Sequence, residues 1–150
     1  MKITELMDVN VMSMSLESTS KEEVIDELIV LLDQEKRISN VKKFKKAILA
    51  REKLSSTGVG NGIAIPHAQV KCVEIPSIVY GYSKEGIDYD SLDGEKAHLF
   101  FMIAAPKDGG DLHLQALSKL ARLLMKEEFK QGIINAGTKE GVLALINKYQ

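Results

Sequence analysis

From Leu99 to Ala105 the chain is apolar without interruption, Leu-Phe-Phe-Met-Ile-Ala-Ala, and Pro106 closes the run. The run is far too short to cross a bilayer, which takes ~20 residues. It has no polar alternation, so it reads as a central strand covered on both faces. Such a strand constrains the whole chain, because apolar layers must lie above and below it.

The remaining sequence supplies those layers. Ser20-Lys21-Glu22-Glu23 has the Ser-x-x-Glu form of a capping box, and Val24, Leu28, Leu31 and Leu32 follow at helical spacing. A second helix is predicted from an Asn40 cap, burying Val41, Phe44 and Ile48, turning Lys42, Lys43, Lys45 and Lys46 outward, and ending near Arg51 to Lys53. A third runs from Leu112 to Met125 with Asp111 as cap. Two more lie at Glu127 to Asn135 and from a Thr138 cap to Tyr149, separated by a Gly137 stop. The first ten residues have only weak helical periodicity. Strands are predicted where Met12, Met14 and Leu16 alternate with serines, at Ile63-Ala64-Ile65 before Pro66, and at Ile78, Tyr80 and Tyr82, with a return through turns at Gly86 to Gly94. Helices and strands are not cleanly interleaved, which favours an α/β sandwich with a mixed sheet over strict βαβ alternation. A chain of 150 residues with 45% hydrophobic content fits one domain over residues 1–150 around one core.

Charge and cysteine usage narrow the function classes. The 20 Lys and Arg against 21 Asp and Glu leave a net charge of -1, so no long-range field calls for nucleic acid or an anionic membrane, and any anion site must be local. The lysines of the second helix lack interleaved aromatics and read as a solvated face. Cys72 is alone and forms no intrachain disulfide, which suits a reducing compartment. The polar start Met1-Lys2-Ile3-Thr4-Glu5 has no signal-peptide core, so a cytoplasmic protein without membrane insertion is expected.

Gly58-Val59-Gly60-Asn61-Gly62 invites a nucleotide reading, but a Rossmann turn needs its third glycine where Ile63 stands, between a strand and a helix. Walker A, kinase and Gly-x-Ser-x-Gly signatures are also missing. The stretch is either a connector using glycine's conformational freedom or a phosphate cradle. His67 follows it, at the point where the strand before Pro66 leaves the core. There a rigidly held imidazole, largely neutral near its ordinary pKa of ~6.5, can offer one ring nitrogen as nucleophile; a structural histidine is the bland alternative. Arg51 ends the helix before the loop, and its planar fork suits phosphate, although a cation at a helix C-terminus also simply matches the dipole. His113 falls in a helix's first turn, a setting that favours anions, or is only a partly buried start residue. His98 reads as structural. The three histidines offer no paired spacing on one helix, so no metal is assigned; a metal-dependent hydrolase would need an ion held by His67 and His113.

The stretch Arg51-Glu52-Lys53-Leu54-Ser55-Ser56-Thr57-Gly58-Val59-Gly60-Asn61-Gly62-Ile63-Ala64-Ile65-Pro66-His67-Ala68 resembles the enzyme IIA domain of the fructose/mannitol class of the bacterial phosphotransferase system. The resemblance continues through Ser91-Leu92-Asp93-Gly94, His98 to Pro106, and His113-Leu114-x-x-Leu117-x-x-Leu120-Ala121, covering nearly the whole chain. It lies nearer the fructose branch than the mannitol branch, where a glutamate often stands at the position of Asn61. The resemblance implies a three-layer α/β sandwich with a mixed sheet of about five strands. It implies that His67 accepts a phosphoryl group from the carrier protein HPr and passes it to a cysteine of a IIB domain, with phosphoenolpyruvate and enzyme I upstream and no cofactor. Arg51 and His113 would surround the phosphoryl group, and Thr57, Gly58, Gly60 and Asn61 would shape the pocket. A nitrogen-type regulatory IIA protein, signalling through phosphorylation of His67, is the alternative. The acceptor cysteine lies on IIB in this family and is not Cys72. The sequence fixes neither the sugar nor an oligomeric state.

Overall fold

A computed structural model describes residues 2–150, so Met1 lies outside the described residues. The apolar run forms β6, Ala97–Ala105, and it is covered on both faces as its composition requires. Phe100, Met102 and Ala104 enter a first core cluster, while Leu99, Phe101 and Ile103 enter the second.

The first face is covered by α1, Lys21–Gln34, and α2, Val41–Leu54. Ser20 caps α1 by accepting from the Glu23 N–H, and Asn40 caps α2 by accepting from the Lys43 N–H. Val24, Ile25, Leu28, Ile29 and Leu32 of α1, with Phe44 and Ile48 of α2, form the buried stripes. Val41, expected inside, is 39% exposed, because the stripe of α2 begins one turn later at Phe44. The second face is covered by α3, Leu112–Leu124, α4, Glu127–Asn135, and α5, Lys139–Tyr149. Thr138 caps α5 as expected. Asp111 does not cap α3 with its side chain, which instead accepts from the Gln115 side-chain amide one turn on.

The sheet is mixed and has six strands, in keeping with the about five that the resemblance implied. The others are β1, Met12–Ser13; β2, Gly58–Gly60; β3, Ile63–Ala64; β4, His67–Gln69; and β5, Ser77–Ile87. The order is β1-β5-β6-β3-β2, with β4 also on β6. Only β5–β6 and the β2–β3 pair are antiparallel. The first residues form two short 3-10 turns, Ile3–Leu6 and Val9–Val11. β1 is shorter than its alternation suggested, although Leu16 stays buried and its N–H reaches the Tyr82 carbonyl.

Two differences bear on the site. Gly58–Gly60 is a strand and not a loop: Asn61 and Gly62, both at positive φ (57° and 78°), make the two-residue turn of a β2–β3 hairpin. Nor does the chain leave the sheet at Pro66. β3 and β4 follow one another along the same edge of β6, Ile63 opposite Leu99 and His67 opposite Ile103. Pro66 only interrupts them, and its carbonyl accepts from the Ile103 N–H.

Candidate functional site

His67 opens β4, half-buried, at the end of the sheet edge nearest the C-terminus of α2 and the start of α3. Its Nδ1 lies 2.9 Å from the Ile65 carbonyl oxygen. A carbonyl only accepts, so Nδ1 carries the proton and donates, and Nε2 keeps the lone pair. Burial is the main cause that holds the imidazole pKa below its ordinary value; the Ile65 carbonyl opposes this, Arg51 and then His113 lower it further, and Glu52 raises it. His67 is therefore neutral at physiological pH, with a nucleophilic nitrogen beside two groups of positive or potentially positive charge.

Arg51 lies in the last turn of α2 and donates from Nη1 to the Ser55 carbonyl at 2.9 Å, so part of the guanidinium closes the helix end. His113 stands in the first turn of α3 with a buried Nδ1 that has no hydrogen-bond partner. Gln69, two residues after His67 on the same strand face, donates to the Gly110 carbonyl at 2.8 Å and ties β4 to the chain entering α3. Arg51, His67 and His113 are thus brought into electrostatic contact by the ends of three elements.

The glycine segment is arranged differently from a phosphate cradle. The Gly58 N–H donates to Ser56 Oγ and the Asn61 N–H to Asp93 Oδ2, so neither amide is directed at an anion beside His67. Gly60 and Asn61 sit at the hairpin turn, beyond Ile63; at ~3.3 Å per residue the strand edge carries His67 roughly 13 Å further on. Asn61 lines a separate cleft of about 700 Å³ with His98, Lys84 and Lys130. His98 donates from Nδ1 to the Ser83 carbonyl at 2.8 Å. The structure therefore does not bring Gly60 or Asn61 to His67. Thr57 runs beside the His67 segment, accepting from the Ile65 N–H, but its own N–H and hydroxyl both go to Glu52. Gly58 is required sterically: a Cβ there would stand 2.6 Å from Ser91 Oγ and 2.9 Å from Ser91 Cα.

Glu52 is the residue that motif reading passed over. Its side chain is 6% exposed and is held by Lys21 at 2.9 Å, by both donors of Thr57, and by the Tyr89 hydroxyl at 3.2 Å. A signal was present, since an acid in the last turn of a helix opposes the dipole and needs partners of its own. Cys72 is buried in the first core cluster, which pushes its thiol pKa up and removes it from nucleophilic duty. Among the described residues no group of three or more His, Cys, Asp or Glu is placed to hold a metal ion, and no helix is long and apolar enough to cross a membrane.

Comparison with known proteins gives the chain a family. Residues 5–149 match the family described as the phosphoenolpyruvate-dependent sugar phosphotransferase system, EIIA 2. A fructose-specific EIIABC component of Bacillus subtilis is 46% identical over 99% of the chain, which spans only 24% of that longer protein. A fructose-specific EIIA component of Haloferax volcanii is 37% identical over 93% of the chain and 91% of its own length. Among solved structures, the nitrogen regulatory protein IIA-Ntr of Neisseria meningitidis superposes with a TM-score of 0.88 at 29% identity, over 96% of this chain and 98% of that one.

Proposed function

The chain belongs to the EIIA 2 family of the phosphoenolpyruvate-dependent sugar phosphotransferase system, and from that premise we propose that it is the phosphoryl-carrier IIA component of a fructose-class system, working in the cytoplasm. His67 takes a phosphoryl group on Nε2 from the phosphohistidine of HPr, which enzyme I charges from phosphoenolpyruvate. As the new P–N bond to His67 forms, the P–N bond on HPr breaks and the electron pair returns to the HPr imidazole. In the second step a IIB cysteine thiolate attacks the phosphorus, a P–S bond forms, and the His67 imidazole is the leaving group. Because the phosphate arrives already activated, the site has only to align the reactants and stabilise charge, without a nucleotide or metal cofactor. Arg51 can grip equatorial oxygens with the part of its fork not spent on Ser55. His113 stands ready as a second donor.

The observation that carries this reading is the bond from His67 Nδ1–H to the Ile65 carbonyl, which selects the tautomer a phosphoryl acceptor at Nε2 needs. The fructose class rests on the identity to the two fructose-specific relatives. The likeness to IIA-Ntr favours a second reading, a regulatory protein whose binding changes when His67 is phosphorylated. Mixing the phosphorylated chain with a cognate IIB domain separates the two. Rapid appearance of phosphocysteine is expected for the transport component; phosphate retained on His67 with a verified IIB present rejects transport in favour of regulation.

A further inference from the structure

A carboxylate in the last turn of a helix faces free carbonyls and the negative end of the dipole, and burial adds a desolvation cost. Glu52 is in that position, yet it is nearly inaccessible, so its partners must compensate. They come from three separate parts of the chain. Lys21, the first residue of α1, reaches Oε1 at 2.9 Å and lies over the Tyr89 ring, 4.8 Å from its centroid. Thr57, ahead of β2, gives its N–H to Oε1 at 3.0 Å and its hydroxyl to Oε2. Tyr89, in the segment after β5, gives its hydroxyl to Oε2 at 3.2 Å.

From Thr57 the hydrogen bonds continue toward the site. The Thr57 carbonyl accepts from the Ile65 N–H at 3.0 Å, and the Ile65 carbonyl accepts from His67 Nδ1–H at 2.9 Å. Thr57 and Ile65 are each held at both N–H and C=O, so the orientation of the carbonyl that selects the His67 tautomer is set by where the carboxylate anchors Thr57. We propose that Glu52 is a positioning residue for His67, acting through Thr57 and Ile65 to hold the imidazole with Nδ1 protonated and Nε2 presented for transfer. The proposal rests on the reading of His67 as the phosphoryl acceptor. Glu52 does not touch the reacting atoms; it also adjoins Arg51, so the same anchor fixes the helix end from which the guanidinium projects. The charged and titratable groups around the pair are Lys21, Tyr89, Arg51 and His113.

The test uses the whole chain labelled with ¹⁵N-histidine. Long-range ¹H–¹⁵N correlation at neutral pH reads the His67 tautomer, and quenched transfer from phospho-HPr reads the rate. The parent should show a single Nδ1–H tautomer. Glu52→Ala should show a mixture and a transfer rate lower by about 10- to 100-fold, the scale of a misplacement near 1 Å. Glu52→Gln keeps an acceptor oxygen for the Thr57 N–H and should recover the single tautomer and most of the rate. A folded Glu52→Ala chain that retains the parent tautomer overturns the proposal. So does a Glu52→Gln chain as slow as Glu52→Ala with the tautomer unchanged, which would make the effect one of charge alone. If Glu52→Ala does not fold, Glu52→Met, which keeps the length of the side chain but has no oxygen for the Thr57 N–H, takes its place, with the same expected mixture and the same overturning result. Failure of the parent to take phosphate from HPr would reject the functional reading instead, and the tautomer measurement would still decide the role of Glu52.

Discussion

At the scale of single residues, burial sets how His67 behaves with pH. Its folded-state pKa lies below the ordinary ~6.5 of an unfolded chain, mainly through desolvation, with Arg51 and His113 adding to the shift. Between the two values the unfolded chain binds more protons than the folded one, so this group's contribution to stability rises with pH through that window. Acidification from 7 to about 5.5 should therefore lower the urea midpoint more in the parent than in His67→Gln, and equal losses would contradict the shift. The same depressed pKa keeps Nε2 unprotonated and competent below neutrality. Arg51→Lys keeps a positive charge but loses the planar fork, so transfer from phospho-HPr should slow by about tenfold, less than the 10²–10³ lost when a stabilising donor is removed outright. Its thermal midpoint should stay near that of the parent, and a parent-like rate would reject the role assigned to Arg51.

At the scale of elements, β2 packs closely against the segment that follows β5. Gly58→Ala places a Cβ against the backbone of Ser91, and the strand or the 88–92 segment must move; about 1–3 kcal/mol of destabilisation is expected from chemical denaturation. The helices were legible because capping and periodicity are local: Ser20, Asn40 and Thr138 cap as their sequences indicate. Asp111 does not fill the capping role its sequence suggests, because a cap depends on geometry as well as residue type, and its carboxylate accepts from Gln115. β3 is the strand expected at Ile63 to Ile65, whereas β2 shows no strand signal because Gly-Val-Gly is too short to show a period, although Asn61-Gly62 is the standard two-residue turn signal. Arg51, His67 and His113 were singled out by their places at element ends. The distance of Gly60 and Asn61 from His67 follows from β3 and β4 sharing one edge of β6, which is a long-range fact. The Glu52 network joins residues from α1, α2, the residue ahead of β2 and the segment after β5, and no local pattern announces it.

At the scale of the molecule, one sheet between two helical layers holds the ends of α2, β4 and α3 together. Phe100 belongs to the core cluster on the α1–α2 face and meets Tyr89 edge-on, with ring centroids 5.5 Å apart. Phe100→Ala should cost about 3–5 kcal/mol and loosen Tyr89 with it, measurable as a lower urea midpoint. On the proposed function, this scaffold presents one neutral histidine as a phosphoryl carrier. Intact mass and acid lability after incubation with phosphoenolpyruvate, enzyme I and HPr, comparing the parent with His67→Ala, test it directly. The account predicts one acid-labile phosphoryl group on the parent and none on a folded His67→Ala chain; phosphorylation that persists in the variant, or none on the parent with a verified HPr, would contradict it.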